Sequence, residues 1–361
     1  MALGKYDILH KNYPRSRNFK ERKMASPNEK TPVQVAFFDK LKQALPATIA
    51  IATGLADILE ISADGAYRRM RGETVLSVDE MVKICRHYKI PPDILGGGDG
   101  TSTTFQHKSL ENTEQGIEEY LKKILSDLKR INAAVPRQII YAALDIPLFH
   151  QFYYPALTTF KLFFWQKAVQ YLPAMEGKKF SSYKVKPEVL ELTKQITETY
   201  VKIPSIEIWH DGTIISNLKL IEFAWDAGWF DKKEDALEIC REFAEMISLI
   251  EKQAEKSSKF TKEEKWAENE GNFTMYHSEI YIGNNSILAS AGPIKAVYFT
   301  YHTFNSMITT GTSFCSETEV WLKNLIRKST PISGVGEKQR NRFFAKFHAS
   351  IQELKKRIEA A

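Results

Sequence analysis

The sequence predicts an all-α N-terminal module joined to a larger α+β domain that is mostly helical and carries a small antiparallel sheet. Three patterns carry that reading. From Thr31 to Leu95 apolar residues recur at helical spacing in short, capped segments. Gly96, Gly97, Gly98, Asp99 and Gly100, followed by Thr101 to Thr104, then break the pattern as a linker. Between Phe273 and Thr310 the apolar period changes from helical to two. The expected organisation is a flexible basic arm at 1–30, a helical module at 31–95, a linker at 96–110 and the α+β domain at 111–361.

Residues 1–30 hold eight Lys or Arg against three Asp or Glu, and Asn12, Pro14, Ser16 and Asn18 discourage regular structure. Two readings of this arm stand side by side: phosphate contacts added beside the module, or a leader without a role, with Met24 as an alternative start. Val35, Phe37, Phe38, Leu41 and Leu45 give an amphipathic helix. Leu55, Ala56, Ile58 and Leu59 stripe the next, Ile61 is a buried hinge and Ser62 is an N-cap. The following helix, Ala63 to Arg71, is stopped by Gly72 at C′. On a wheel, Ala66 and Met70 face inward while Ala63, Asp64, Tyr67, Arg68 and Arg71 face outward, with Arg69 at the border as a phosphate contact. Ser77 and Glu80 form a capping box before Val78, Met81, Val82, Ile84, Cys85 and Tyr88.

A short helix, a tight turn and a second helix with polar side chains outward is the layout of a helix-turn-helix DNA reader. Arg can bind guanine O6 and N7 together, Tyr or Ala can touch a thymine methyl, and Asp64 can accept from cytosine N4. The segment resembles the lambda-repressor/Cro-like helix-turn-helix family. It is closer still to Bacteroidetes-type proteins with a YRRxRGE motif, here Tyr67, Arg68, Arg69, Met70, Arg71, Gly72 and Glu73. The resemblance covers about 65 of the 361 residues. It implies that Ala63, Asp64 and Arg68 read bases. Two positions depart from the family's habit: Glu60 stands where the turn often uses Gly, and Arg69 where many relatives carry an apolar residue.

In the larger domain Glu111 to Ile131 is an amphipathic helix, and Gln138 to Leu144 reads as a buried strand that joins the sheet. An aromatic helix follows around Phe160, Phe163, Phe164 and Trp165, then helices at Pro187–Tyr200, near Thr213–Ala227 and at Lys232–Lys256. Alternation across Gly283, Asn284 and Asn285 signals a hairpin, AVYFTYHTF adds a third strand, and helices at Glu317–Arg327 and Glu337–Ile358 end the chain. DIPLFHQF, FKLFFW, IEIW and RKSTPISGVGEKQRNRFF look shared with the C-terminal regions of the same Bacteroidetes-type proteins, and that likeness implies no activity.

No P-loop, HExxH helix, GxGxxG turn or GxSxG elbow occurs, so no common catalytic scaffold is announced. Asp145, His150, His277, His302 and Cys315 are linked by no spacing and read as structural. Cys85, Cys240 and Cys315 lie far apart, which argues against a metal site or a disulfide framework and fits a reducing cytoplasm. No cofactor is expected. The most apolar stretch, Pro155 to Leu172, is broken by Lys161 and Lys167 and reads as a buried helix, with no membrane segment and no secretory signal. Phe160, Phe163, Phe164, Trp165, Trp209, Trp225, Trp229 and Tyr298 fill a core by default and could also line an effector pocket. The loop holding Arg327, Lys328, Ser333, Gly334, Gly336, Lys338, Arg340 and Arg342 could receive an anion or stay solvated. The net charge of +6 is uneven: +5 in the arm, +7 in Trp321 to Ala361 and −6 between them.

The expected function is therefore a cytoplasmic, sequence-specific transcriptional regulator that is not an enzyme. Ser62, Ala63, Asp64, Tyr67, Arg68, Arg69 and Arg71 would contact double-stranded DNA, and the C-terminal domain would hold a homodimer and could sense a small-molecule or protein effector. A signalling adaptor that binds another protein without DNA is the alternative. An enzyme housed in Gln138 to Ala361 is the third reading.

Overall fold

The computed structural model describes residues 32–45, 50–88, 103–107, 113–263, 269–301 and 305–361. The expected arm, most of the linker and His302 lie outside these residues. The chain divides into two compact units, Met1–Asp99 and Gly100–Ala361.

The first unit holds α1 (Pro32–Ala44), α2 (Ile51–Leu59), α3 (Ala63–Met70) and α4 (Val78–Tyr88). Phe37, Phe38, Leu41, Leu55, Ala66, Ile84 and Cys85 are buried together, so every helix gives its apolar stripe to one small core. Gly54 on α2 allows α4 to approach closely, since a Cβ there would collide with the Tyr88 hydroxyl.

The second unit is built on strands β1 (Gln106–His107), β2 (Arg137–Ala143), β3 (Ser205–His210), β4 (Phe273–Ser278), β5 (Ser286–Ala291), β6 (Ile294–Tyr301), β7 (Asn305–Thr309) and β8 (Thr330–Pro331). They form one eight-stranded mixed sheet in the order β1-β7-β6-β5-β2-β3-β4-β8. β2, β3 and β4 run parallel, with Ile139 opposite Ser205 and Ser205 opposite Phe273, while the remaining pairings are antiparallel. The sheet is thus neither small nor wholly antiparallel. The parallel centre is made possible by helical crossovers, which are long enough to return the chain to the end of the sheet at which the preceding strand began.

Helices α5 (Glu114–Ala133), α6 (Leu148–Gln151), α7 (Pro155–Phe164), α8 (Pro187–Val201), α9 (Ile215–Asp226), α10 (Lys233–Lys256) and α12 (Glu337–Ala360) share one core with Ile139, Tyr141, Trp209 and Met275. α11 (Thr312–Lys328) packs with the alternate residues Ile140, Ala142, Ile208 and Leu288 on the opposite face. Because β2 is covered on both faces, it reads as an unbroken apolar run. The aromatic cluster fills space inside the larger core: Phe160 stacks on Phe230 with ring centres 5.8 Å apart, and Trp209 on Phe347 at 6.2 Å.

The hairpin expected across Gly283, Asn284 and Asn285 does not form, because β2 and β3 lie between β4 and β5. Alternation marks a half-buried strand but does not name its partner. Asn285 instead ties the end of β2: its Oδ1 accepts from the Leu144 N–H at 2.9 Å and its Nδ2 donates to Asp145 Oδ1 at 2.6 Å. The tight hairpin joins β5 to β6, where Gly292 takes a left-handed φ of 58° beside Ala291 and Ile294.

Beside β3 a fully buried Lys259 donates from Nζ to the Tyr200 carbonyl (2.7 Å), the Ile203 carbonyl (2.5 Å) and Ser205 Oγ (2.7 Å). The carboxylate of Glu207, also fully buried, is contacted by His150 Nε2 at 2.8 Å and accepts from the Tyr200 hydroxyl (2.6 Å) and Trp209 Nε1 (2.8 Å). Burial pushes the Lys259 ammonium down to about 7 although Glu207 opposes the shift. A lysine lowered in the folded state leaves the unfolded chain holding more protons between pH 7 and the ordinary lysine range, so stability rises with pH across that window. All six tryptophans lie in the second unit, so tryptophan fluorescence reports its unfolding. The urea midpoint of the wild type is expected to rise from pH 7 to pH 9, and Lys259→Met to flatten that rise. Equal slopes in the two proteins would remove the assignment.

Candidate nucleic-acid interface

The face of α3 is set by how its two ends are tied. α2 ends at Glu60, which takes the left-handed conformation (φ 54°, ψ 46°) that the sequence places at a usual glycine position. For a residue with a Cβ this costs on the order of 1–2 kcal/mol, and the Ile61 N–H donating to the Ala56 carbonyl at 3.0 Å helps to hold it. Ser62 then enters in an extended conformation and its Oγ accepts from the Gly65 N–H at 3.1 Å, capping α3. At the far end Gly72 has φ 75°. The Glu73 N–H reaches the Arg68 carbonyl at 2.8 Å and the Gly72 N–H the Arg69 carbonyl at 3.0 Å, which is a Schellman stop.

Between these ties Ala66 is fully buried and Met70 half-buried, while Ser62, Ala63, Asp64, Tyr67, Arg68 and Arg71 are exposed. Tyr67 keeps 50% of its surface open, unusual for so large a ring. Arg71 lies along the surface in a two-point pair with Glu73, at 2.6 and 3.0 Å.

Arg69 is placed differently from its neighbours. Its Nε and Nη2 donate to Glu80 Oε1 at 3.1 and 2.7 Å, and its side chain is 17% exposed. In the structure without DNA its guanidinium bonds α3 to α4, because it lies half-buried within reach of a carboxylate already fixed by the capping box. In that box the Ser77 N–H donates to Glu80 Oε2 at 2.8 Å and the Glu80 N–H to Ser77 Oγ at 3.1 Å. Burial opposes the Glu80 charge, but Arg69 and Ser77 outweigh it and hold its pKa below the ordinary value.

Gln34 completes the frame and was not singled out in the sequence. Only 6% exposed, it donates from Nε2 to the Arg69 and Thr74 carbonyls, both at 2.7 Å, and accepts at Oε1 from the Leu76 N–H at 2.8 Å. One amide side chain on α1 therefore fixes the segment that follows α3. The signal was a polar residue on an apolar stripe, since Gln34 precedes Phe37, Phe38 and Leu41 at helical spacing.

The other candidates are dispersed. His277 Nε2 stands 3.0 Å from Asp211, which also pairs with Lys346, and the Cys315 Sγ lies against two carbonyls. Arg340 in the basic loop turns inward and donates to the Ile332 and Gly334 carbonyls at 3.3 and 2.9 Å. Among the described residues no group of three or more His, Cys, Asp or Glu could hold a metal ion, and no helix is long and apolar enough to cross a membrane.

Residues 33–113 match the BetR domain family, a helix-turn-helix-like family. The match takes in the whole framed segment from Gln34 to Glu80 and ends past β1, in the second unit. Neither the curated proteins nor the solved structures contain a match to this chain.

Removing Gln34 leaves two carbonyls and one N–H without their partner. Gln34→Ala is expected to destabilise the first unit by about 2 kcal/mol, or roughly thirtyfold in local opening. Native-state hydrogen exchange at Leu76 and its neighbours in the full chain is the measurement. The depressed Glu80 pKa adds stability that is present above the ordinary glutamate value and lost as pH falls through the folded one. Exchange protection of α4 should accordingly drop in acid, and Glu80→Gln should lower protection at neutral pH and reduce that drop.

Proposed function

We propose that the first unit is a lambda-repressor-type DNA reader and that the protein is a sequence-specific transcriptional regulator. The observation that carries this reading is the exposed row Ala63, Asp64, Tyr67, Arg68 and Arg71 on a short helix capped at both ends. The match to the BetR domain family over 33–113 supports it. α3 would enter the major groove with its N-terminal turn toward the bases, where Ala63, Asp64 and Arg68 face base edges and Tyr67 can touch a thymine methyl. Ser62 caps the helix next to the phosphates, and Arg71 can exchange Glu73 for a phosphate. Arg69 contributes by holding α3 against α4.

The module is close to neutral, so attraction to the phosphate backbone rests on these few guanidinium groups and on the basic arm at 1–30. A single short helix makes few base contacts. Specific affinity then calls for two modules on half-sites about one helical turn apart, and hence for a homodimer assembled through the second unit.

The test is selection of bound genomic fragments by the full-length protein, followed by titration of the selected site with wild type, Arg68→Ala with Arg71→Ala, and Arg69→Ala. The double variant is expected to bind at least tenfold more weakly, following the roughly 1–3 kcal/mol of a good arginine contact, and with a shallower salt dependence. Arg69→Ala should act mainly through lost stability of the first unit. Equal binding by wild type and double variant would take the reading role away from α3. A protein that retards no duplex would leave the adaptor reading instead.

A further inference from the structure

The outer face of α9 carries an aromatic cluster that the second unit leaves partly open. α9 turns Asn217, Ile221 and Ala224 inward, while Phe223 keeps 52% of its surface exposed. The Phe223 ring lies 5.2 Å from that of Trp229 and 5.9 Å from that of Phe164, and these two are 5.5 Å apart, so the three rings make one cluster. Trp229 and Phe164 are themselves only half-buried. Beyond Phe164 the chain winds as a π-helix over Trp165–Val169, and Val169 at its end is exposed. The cluster is tied down by the chain: Lys167 lies over the Trp229 ring at 5.3 Å and donates to the Met175 and Lys178 carbonyls at 2.8 and 2.9 Å. A joined, exposed aromatic patch of this kind marks an interaction surface.

The charges around the cluster select its occupant. Lys219 stands one turn before Phe223 on α9 and Asp226 one turn after it, and both are exposed. Glu222 accepts from Lys219 at 2.5 Å, and Arg357 reaches Glu222 and both carboxylate oxygens of Asp226, the latter at 2.9 Å. The rim thus holds two acids and two bases. A polyanion would meet Glu222 and Asp226, and a polycation Lys219 and Arg357. The same surface turned about a two-fold axis at Phe223 sets Lys219 of each copy opposite Asp226 of the other, so opposite charges meet twice.

We propose that α9 docks antiparallel on α9 of a second copy of this chain, about a two-fold axis at Phe223. The two Phe223 rings meet at the centre with Trp229 and Phe164 beside them, and burial of these rings supplies most of the affinity. The Lys219–Asp226 pairs at either side set the register and contribute less. This names the surface of the homodimer in the function proposed above and rests on that reading for the dimer's role, whereas dimer formation is measured without DNA.

The test is sedimentation equilibrium of the full-length protein without DNA, for wild type, Phe223→Glu, Lys219→Glu and Trp321→Glu, with each fold checked by circular dichroism. Wild type is expected to be a dimer at micromolar concentration. Phe223→Glu sets two carboxylates face to face at the axis and should raise the dimer dissociation constant at least tenfold. Lys219→Glu places an acid opposite Asp226 and should weaken the dimer by a smaller factor that shrinks as salt is added. Trp321, exposed on α11, lies outside the cluster, so Trp321→Glu should leave the dimer unchanged. A wild type that stays monomeric, a folded Phe223→Glu as dimeric as wild type, or loss of the dimer in folded Trp321→Glu overturns the proposal. A dimer that retards no duplex would support this surface while removing the DNA-reading role, so the two readings fail separately.

Discussion

The carboxylate of Glu80 does two jobs at once, and the first unit is organised around it. Oε2 takes the Ser77 N–H and so starts α4, while Oε1 takes two donors from Arg69 and so anchors the last turn of α3. Neither bond alone would orient α3, but a shared carboxylate makes the end of one helix and the start of the next a single rigid corner. The Arg69 guanidinium has few other partners at hand, the Gly65 carbonyl at 3.4 Å being a long contact. Without Glu80 a mostly covered cation would lose its counter-charge, and breaking such a pair is far more costly than the pair is stabilising. The inward commitment of Arg69 sorts the arginines of the motif, because residues one before and two after it on a helix point elsewhere. Arg68 and Arg71 are outward for the same reason that Arg69 is inward.

Three other buried polar groups are partnered in the same many-handed way. Gln34 uses both ends of its amide, Lys259 all three of its protons, and Glu207 takes three partners. In surroundings of low polarity each of these groups would be expensive alone and is specific when paired.

What was legible in the sequence was what is local in the chain. The Ser62 cap, the Gly72 stop and the Ser77–Glu80 box each depend on residues within a turn of each other, and all three stand in the structure. The long helices of the second unit fall close to their expected spans, from Pro187–Val201 to Lys233–Lys256, because their apolar period runs for several turns. Strand β3 escaped for the opposite reason. Six residues with Glu207 at their centre do not look like a buried strand until the partners of that carboxylate are known, and these come from residues as distant in sequence as His150. Strand partners are hidden in the same way, since alternation is a property of one strand and pairing is a property of two. The expected hairpin at Asn285 failed because the residue's polar side chain serves β2 and not a turn.

The candidate site shows the same division, and it bears on how α3 tolerates change. Outward positions could be assigned from the wheel alone, since exposure follows from period. The inward role of Arg69 could not, because its partner is eleven residues away and on another helix. At a position so nearly covered, an apolar side chain could settle against Met70 and the rest of the small core, whereas arginine requires an acid opposite it. Glu80 and Arg69 are therefore a matched pair: either one replaced alone leaves a charge in a poor environment, and an apolar residue at 69 would make the second oxygen of Glu80 dispensable. The orientation of the exposed row is in this way fixed from beneath, by a contact on the opposite side of α3.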